Sequence, residues 1–399
     1  MLLDMMSLSD LGPNDARPEK DNALVLHHDV LEAGILEAGT SSGVQEGNVY
    51  TLAPLGTDQL TNETIIGTAT VTHCGRLRSR ADLNMLPRKS FPSTKGVRAF
   101  LKEKALRKLP VSCPTVFVGL RDAIDESKYI FRKHVKRGNG LLAEFQEYGD
   151  DLVLVNGQGV QLASRYISDK DSSSLAVISK DLVKLAEQLA RAKHLLSLTY
   201  AQSSDEKLEH NLSIIFGTVK NGQHDRVVTQ DGNGYVIEGE PVYISLTNNG
   251  SENIHVSVFN VNVAGKISLL SRGHARGIEM PPQRSYVLGD DQYGLGLKGL
   301  PTAWPSGVHK TQAVTESLVL ILSDSPADLG QLTINATRTN YRRYAGFSSL
   351  ERLAFSIATG EKLYTPSDRT WDRVCYDALQ IPFRLTPFKS GNSFLGRDT

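Results

Sequence analysis

From Tyr235 to Leu270 the chain alternates in a way that leaves little choice of local structure. Val242, Ile244 and Leu246 interleave with Tyr243, Ser245 and Thr247, and Ile254, Val256 and Val258 repeat the pattern. A period of two puts one face of an extended segment on a core and the other toward solvent. Asn249-Gly250 and Gly265-Lys266 supply reversal points, because Gly and Asn tolerate positive φ. The stretch predicts a β-meander.

The rest of the chain divides around it. Residues 1–22 carry Ser, Asp, Gly, Pro and Asn without periodicity and read as disordered. Residues 23–75 read as a small β module, with strands over Ala23–His28, Asn48–Leu52 and Ile65–His73. Residues 76–110 hold eleven Lys and Arg against Asp82 and Glu103, and read as a basic linker ending in a short helix over Val97–Leu109. In 111–204 an α/β module is expected: a strand at Thr115–Leu120, an alternating run at Leu141–Tyr148, a hairpin from Leu152–Val155 to Val160–Ala163, and a helix over Ser179–Ser197. Leu182, Leu185, Ala186, Leu189, Ala192 and Leu196 fall on one face of that helix, with Ser179 placed as its N-cap. Residues 205–345 hold the meander within a larger set of strands, among them Leu212–Val219, Tyr286–Leu288, the apolar run Leu318–Leu322 and an edge at Leu332–Ala336. Short strands with frequent turn signals predict an antiparallel β-sandwich there. The tail, 346–399, holds a helix over Ser349–Ala358 and then segments broken by Pro. The fold class is thus α+β, mostly β.

Composition narrows the function classes. Lys+Arg and Asp+Glu both number 44, so the chain has no basic surplus for a dedicated nucleic-acid or anionic-membrane binder. Three cysteines, Cys74, Cys113 and Cys375, stand far apart without a C-x-x-C pair. They suit neither a disulfide framework nor a structural zinc site, and point to the cytoplasm. No apolar run is long enough to span a membrane, and the first residues do not form a secretory signal.

Chemistry-bearing patterns are few. His27-His28-Asp29 offers metal-ligand types, but strand neighbours point to opposite faces. The same divergence separates His73 from Cys74, so they do not form a local dyad. Cys113 and Cys375 read as packing residues. Gly294-Leu-Gly296-Leu-Lys-Gly299 fits G-x-G-x-x-G, but Pro301 and Pro305 follow where a phosphate-binding helix would begin. These residues read as loop glycines. No catalytic, cofactor-binding or metal-binding residue is assigned, and no cofactor is expected.

The segment from Leu36 to Leu52, with Gly39, Gly43, Gly47 and Tyr50 in the pattern G-x-x-x-G-[VL]-x-x-G-x-x-[YF], resembles a module of fungal caspase-domain proteins. Leu182–Leu198 is similar to a later helix of those proteins, and Tyr235–Leu270 to their C-terminal β domain. The resemblance spans residues 30–345. The His-Gly and Asp-x-Cys motifs of the peptidase domain are absent from this sequence. What the resemblance implies is an accessory region without its protease: a non-catalytic regulatory or protein-interaction chain whose partner is a caspase-like protease or its substrate. Two alternatives stay open. One is a cysteine peptidase using Cys74 or Cys113 with a distant histidine. The other is a β-sandwich module that binds carbohydrate or lipid, for which Trp304 and Trp371 are the only indoles.

Overall fold

Alternating runs in the first quarter of the chain close on themselves. β1 (Leu24–His28), β2 (Gly34–Leu36), β3 (Val49–Pro54), β4 (Gly67–Cys74), β5 (Ser79–Met85) and β6 (Val97–Glu103) form a closed barrel in the order β1-β2-β5-β4-β3-β6. This is the computed structural model of the chain, which describes residues 24–28, 34–42, 44–57, 60–61, 63–91, 96–103, 105–114, 117–133, 140–167, 172–198, 207–229, 232–290, 296–333, 347–360 and 374–388. The expected disordered segment, 1–22, lies outside them. The chain separates into two units, residues 1–107 and 108–399.

In the first unit Leu36, Tyr50, Leu52, Val71 and Val97 fill the barrel together with Ala69, Ala81 and Ala99, which are fully buried. Small side chains at facing positions suit the narrow interior of a six-stranded barrel. Gly39 lies where a Cβ would collide with the backbone of Gly75 and Arg76, and Thr40 donates to the Gly75 carbonyl at 2.9 Å. The basic linker expected over 76–110 is therefore corrected: its residues supply β5 and β6, and the helix expected over Val97–Leu109 is a strand through Glu103. High charge density reads as a loop signal in the sequence. The period-two placement decides instead, with Val97 and Ala99 buried and Arg98 and Phe100 half-buried between them.

The second unit opens with β7 (Leu109–Ser112), α1 (Val118–Asp125) and β8 (Ile130–Arg132), and β7 pairs in parallel with β8 across the helix. The strand expected at Thr115–Leu120 is thus overturned, since 118–120 begin α1. A short apolar run does not by itself distinguish the two states. β9 (Ala143–Tyr148), β10 (Asp151–Asn156) and β11 (Gln161–Tyr166) follow as an antiparallel set, joined to β7 through β9. α2 (Ser172–Ser197) then buries Leu182, Val183, Ala186, Leu189 and Ala190. Ser179 is not its N-cap, because the helix starts a full two turns earlier and Ser179 is fully buried within it.

β12 (Leu212–Lys220), β13 (Gln223–Val227), β14 (Tyr235–Ile237), β15 (Val242–Asn248), β16 (Ile254–Val261), β17 (Ile267–Leu269), β18 (Ile278–Met280), β19 (Ser285–Leu288) and β20 (Val314–Ser323) follow. The meander is corrected. β15 pairs with β12 and β19 in a four-stranded sheet, whereas β16 pairs with β17, β18 and β20 in a six-stranded one. Asn249-Gly250 therefore carries the chain between sheets rather than around a hairpin. Asn248, almost fully buried, fixes the crossing: its Nδ2 donates to the Glu252 and Met280 carbonyls at 2.8 Å each, and its Oδ1 accepts from Gly250 N–H at 3.0 Å. Only β16–β17 is the hairpin that its Gly265 turn predicts.

The tail is more than broken segments. After a 3-10 turn at Gly330–Thr333, where an edge strand had been expected to start, α3 (Ser349–Thr359) is closed by a Ser348–Glu351 capping box. β21 (Tyr376–Thr386) then runs between β20, antiparallel, and β14, parallel. Pro382 fits in this central strand. The Arg384 N–H, on the same side of the strand, bonds to Gly234 O at 2.8 Å, and β14 begins only opposite Arg384. The donor that Pro lacks faces the turn ahead of β14, so no ladder bond is lost.

Residues 111–204, 205–345 and the tail strand contribute to one continuous core, with Leu154, Ala186, Ile244, Val258, Leu320 and Phe383 among its members. Phe216 of β12 meets the Phe383 ring of β21 edge-on, with ring centroids 5.2 Å apart, so a side chain of the four-stranded sheet touches one of the six-stranded sheet. The fold is mostly β, with several antiparallel sheets and one long helix. Among the described residues no helix is long and apolar enough to cross a membrane.

Candidate functional site

One face of β16 and β20 is apolar along most of its length. Val256 lies opposite Leu322 and Val258 opposite Leu320, all fully buried. The same alternation carries Asn260 and Glu316 onto that face at its far end. Asn260 lies opposite Leu318, and Glu316 is two residues along from Leu318, a diagonal neighbour within reach of a long side chain. Asn260 Nδ2 donates to Glu316 Oε2 at 2.9 Å. Glu316 is only 5% exposed. Its Oε1 and the Asn260 Oδ1 are buried without hydrogen-bond partners among the described residues.

These two side chains line a cavity of about 650 Å³. Its walls come from α2 (Leu185, Gln188), the β16–β17 turn (Asn262, Lys266) and the loop carrying Pro301 and Trp304. Local hydrogen bonds hold the walls in place. Asn262 Oδ1 accepts from the N–H groups of Ala264 and Lys266 at 3.1 and 2.9 Å, which sets the turn. Gly265, at φ 79°, packs against the backbone of Gln188 and Leu189, where a side chain would collide. Gln188 Nε2 donates to the Ala264 carbonyl at 3.0 Å, tying helix to turn. Trp304 Nε1 donates to the Val308 carbonyl at 2.8 Å, which fixes the indole.

The electrostatics divide between floor and mouth. Burial pushes the Glu316 carboxyl up to about 7, from an ordinary 4.5, and the Asn260 hydrogen bond offsets only part of that rise. At neutral pH the floor therefore holds both the acid and its carboxylate. Lys266 and Arg272 line the cavity as exposed cations. Arg272 Nε donates to the Leu269 carbonyl at 3.1 Å, and among the described residues neither cation has a carboxylate partner. The same two residues, with Ser268 and Leu269, also line an adjoining pocket of about 300 Å³. Among the described residues no thiol and no imidazole lines either space.

The residues singled out from sequence lie elsewhere. Asp29 and the side chains of His27 and His28 fall outside the described residues. Exposed His73 approaches Glu46 at 3.4 Å, while the Cys74 thiol turns inward to the Val44 carbonyl and Ser79 Oγ, both at 3.2 Å. Cys113 is half-buried, and burial pushes its thiol up while Arg132 and Arg121 pull it down. Cys375 donates its N–H to Asp324 at 3.1 Å. Gly294 is outside the described residues. Gly296 and Gly299 take positive φ in a loop that bridges back onto Asp290 and Val242, and the next element is strand β20. Among the described residues no three His, Cys, Asp or Glu side chains cluster in a metal-binding arrangement.

Asn260 and Glu316 were missed at the sequence level. The signal that finds them is phase: each is a polar residue in step with the buried face of its strand. Neither a family model nor a curated protein matches the chain, and nothing links it to caspase-domain proteins.

Proposed function

We propose that this chain is a non-catalytic recognition protein, whose second unit, with its four- and six-stranded sheets stacked as a sandwich, takes a small organic ligand into the cavity floored by Asn260 and Glu316. One observation carries the reading: two buried acceptors, Glu316 Oε1 and Asn260 Oδ1, lack donors among the described residues in the wall of a cavity of about 650 Å³. Buried polar atoms nearly always have partners, and leaving one without costs about 1–3 kcal/mol. A ligand that brings donors relieves that cost. The volume lies in the range of small-molecule sites, about 300–1,000 Å³. Binding through a preformed pocket accords with an accessory role beside another protein. A caspase-like partner is a proposal resting on motif order alone.

The test is a fragment screen read on Trp304, in wild type and in Ser268→Phe. Ser268 pairs with Asn260 across β16–β17 and lines the same cavity, so a phenyl ring there occupies the space. Fragments that shift the Trp304 signal in wild type and not in S268F are expected. An unresponsive wild type, or equal responses in both proteins, sinks the proposal.

A further inference from the structure

The cavity has two chemically different ends, and together they specify a ligand more closely than its volume does. We infer that the ligand is a short apolar peptide with free termini, its ammonium seated on Glu316 and Asn260 and its carboxylate at Lys266 and Arg272. This rests on the reading of the cavity as a binding site.

The floor offers acceptors. Asn260 has already used an N–H on Glu316 Oε2, and what remains unmatched is Glu316 Oε1 and Asn260 Oδ1. With Glu316 ionised, a carbonyl-rich ligand would leave both unmatched. An ammonium brings three donors and a charge opposite to the carboxylate's. The last torsion of a Glu side chain is soft, so Oε1 turns toward an incoming donor at little cost. Glu316 is 5% exposed, so this hydrogen bond would form with little competition from water.

Apolar side chains line the same cavity. Leu185, Leu270, Leu300, Pro301 and Trp304 supply walls without further charge. The mouth carries Lys266 and Arg272, exposed and without carboxylate partners among the described residues. A molecule with an ammonium at one end, an apolar body and an anion at the other matches all three zones. A peptide of two or three apolar residues is the simplest such molecule.

The experiment uses the full chain carrying Trp371→Phe, which leaves Trp304 as the single indole of the two in the sequence. Its fluorescence is titrated with trileucine, N-acetyl-trileucine and trileucine amide, alongside the neutral fragments of the preceding test. Trileucine is expected to bind. Acetylation, which removes the ammonium, is expected to weaken it roughly 10- to 100-fold, the size of a charge-assisted hydrogen bond. Amidation is expected to weaken it about two- to fivefold, as befits an exposed ion pair. Glu316→Gln, close in shape to the native residue, is expected to erase the difference between free and acetylated peptide. K266A with R272A is expected to erase the difference between acid and amide. If neutral fragments shift Trp304 while trileucine does not, or if acetylated and free peptides bind alike, the peptide inference fails and the cavity reading stands. If nothing moves Trp304, both fail.

Discussion

The two ends of the β16–β20 strand pair share one face and one register, yet they are built on different principles. At one end Val256, Val258, Leu320 and Leu322 are fully buried among apolar neighbours. At the other, Asn260 and Glu316 hold each other through one hydrogen bond and leave two acceptors unmatched. The first end stabilises the fold by burial alone. The second is tolerated at a cost, and its cost is the evidence that it serves something other than stability.

Truncation at the apolar end should give the largest effect. Leu320 is fully buried between β16 and β21, so Leu320→Ala removes its packing and opens a cavity at roughly 2–5 kcal/mol. A denaturant melt measures this directly, and a loss under about 1 kcal/mol would mean the apolar end does not anchor the sheet.

The opposite sign is expected at the polar end. Below about pH 4.5 the Glu316 carboxyl is protonated in the folded and unfolded chains alike. As pH rises toward 7 the unfolded chain gives up its proton first, so stability falls. Above about 7 the loss levels off at roughly 3–4 kcal/mol, from a gap of about 2.5 pH units at about 1.4 kcal/mol each. Glu316→Gln should therefore stabilise the protein by roughly 2–3 kcal/mol at pH 8 and leave it nearly unchanged at pH 4. Melts at the two pH values decide the matter. Equal effects at both would show that Glu316 keeps an ordinary carboxyl in the fold.

This contrast also marks what a sequence discloses. Strand existence was legible from local period: the alternation of Val242–Thr247 and Ile254–Val258 and the run Leu318–Leu322 all became strands. Partnership was not, because alternation fixes which face a residue takes and says nothing of the neighbouring strand. Asn249-Gly250 reads as a hairpin, yet the contacts of Asn248 with Glu252 and Met280, the latter more than thirty residues along, make it a crossing. The barrel's last strands were hidden for another reason. Arg98 stands between buried Val97 and Ala99, so basic content on a strand resembled a linker. The site shares this limit. Asn260 and Glu316 each look like a polar interruption of an apolar run, and only the β16–β20 register shows that the two interruptions meet.

Asn260 sharpens the comparison at a smaller scale. Its amide is the donor that Glu316 Oε2 accepts at 2.9 Å, and that bond lowers the Glu316 pKa against the pull of burial. Asn260→Ala removes the donor together with its own unmatched Oδ1, two changes of opposite sign. The net loss expected at pH 8 is about 1–2 kcal/mol, with a further rise in the Glu316 pKa. Carbon-13 NMR of the Glu316 carboxyl follows its titration, and a pKa that falls in N260A would show that the amide does not support the carboxylate.

The smallest effect belongs to the mouth, where a small number carries the most meaning. Lys266 and Arg272 are exposed and lack carboxylate partners among the described residues, and the Arg272 contact is one hydrogen bond to a backbone carbonyl on the surface. Surface substitutions of this kind change stability by about 0.5 kcal/mol or less. K266A with R272A should therefore melt like the wild type at every pH and at low and high salt. A loss above about 1 kcal/mol would make the two cations part of the fold. If stability is unchanged, any loss of ligand affinity in the same variant belongs to the ligand alone. The apolar end offers no such separation, because every residue there that could touch a ligand also holds the sheet together.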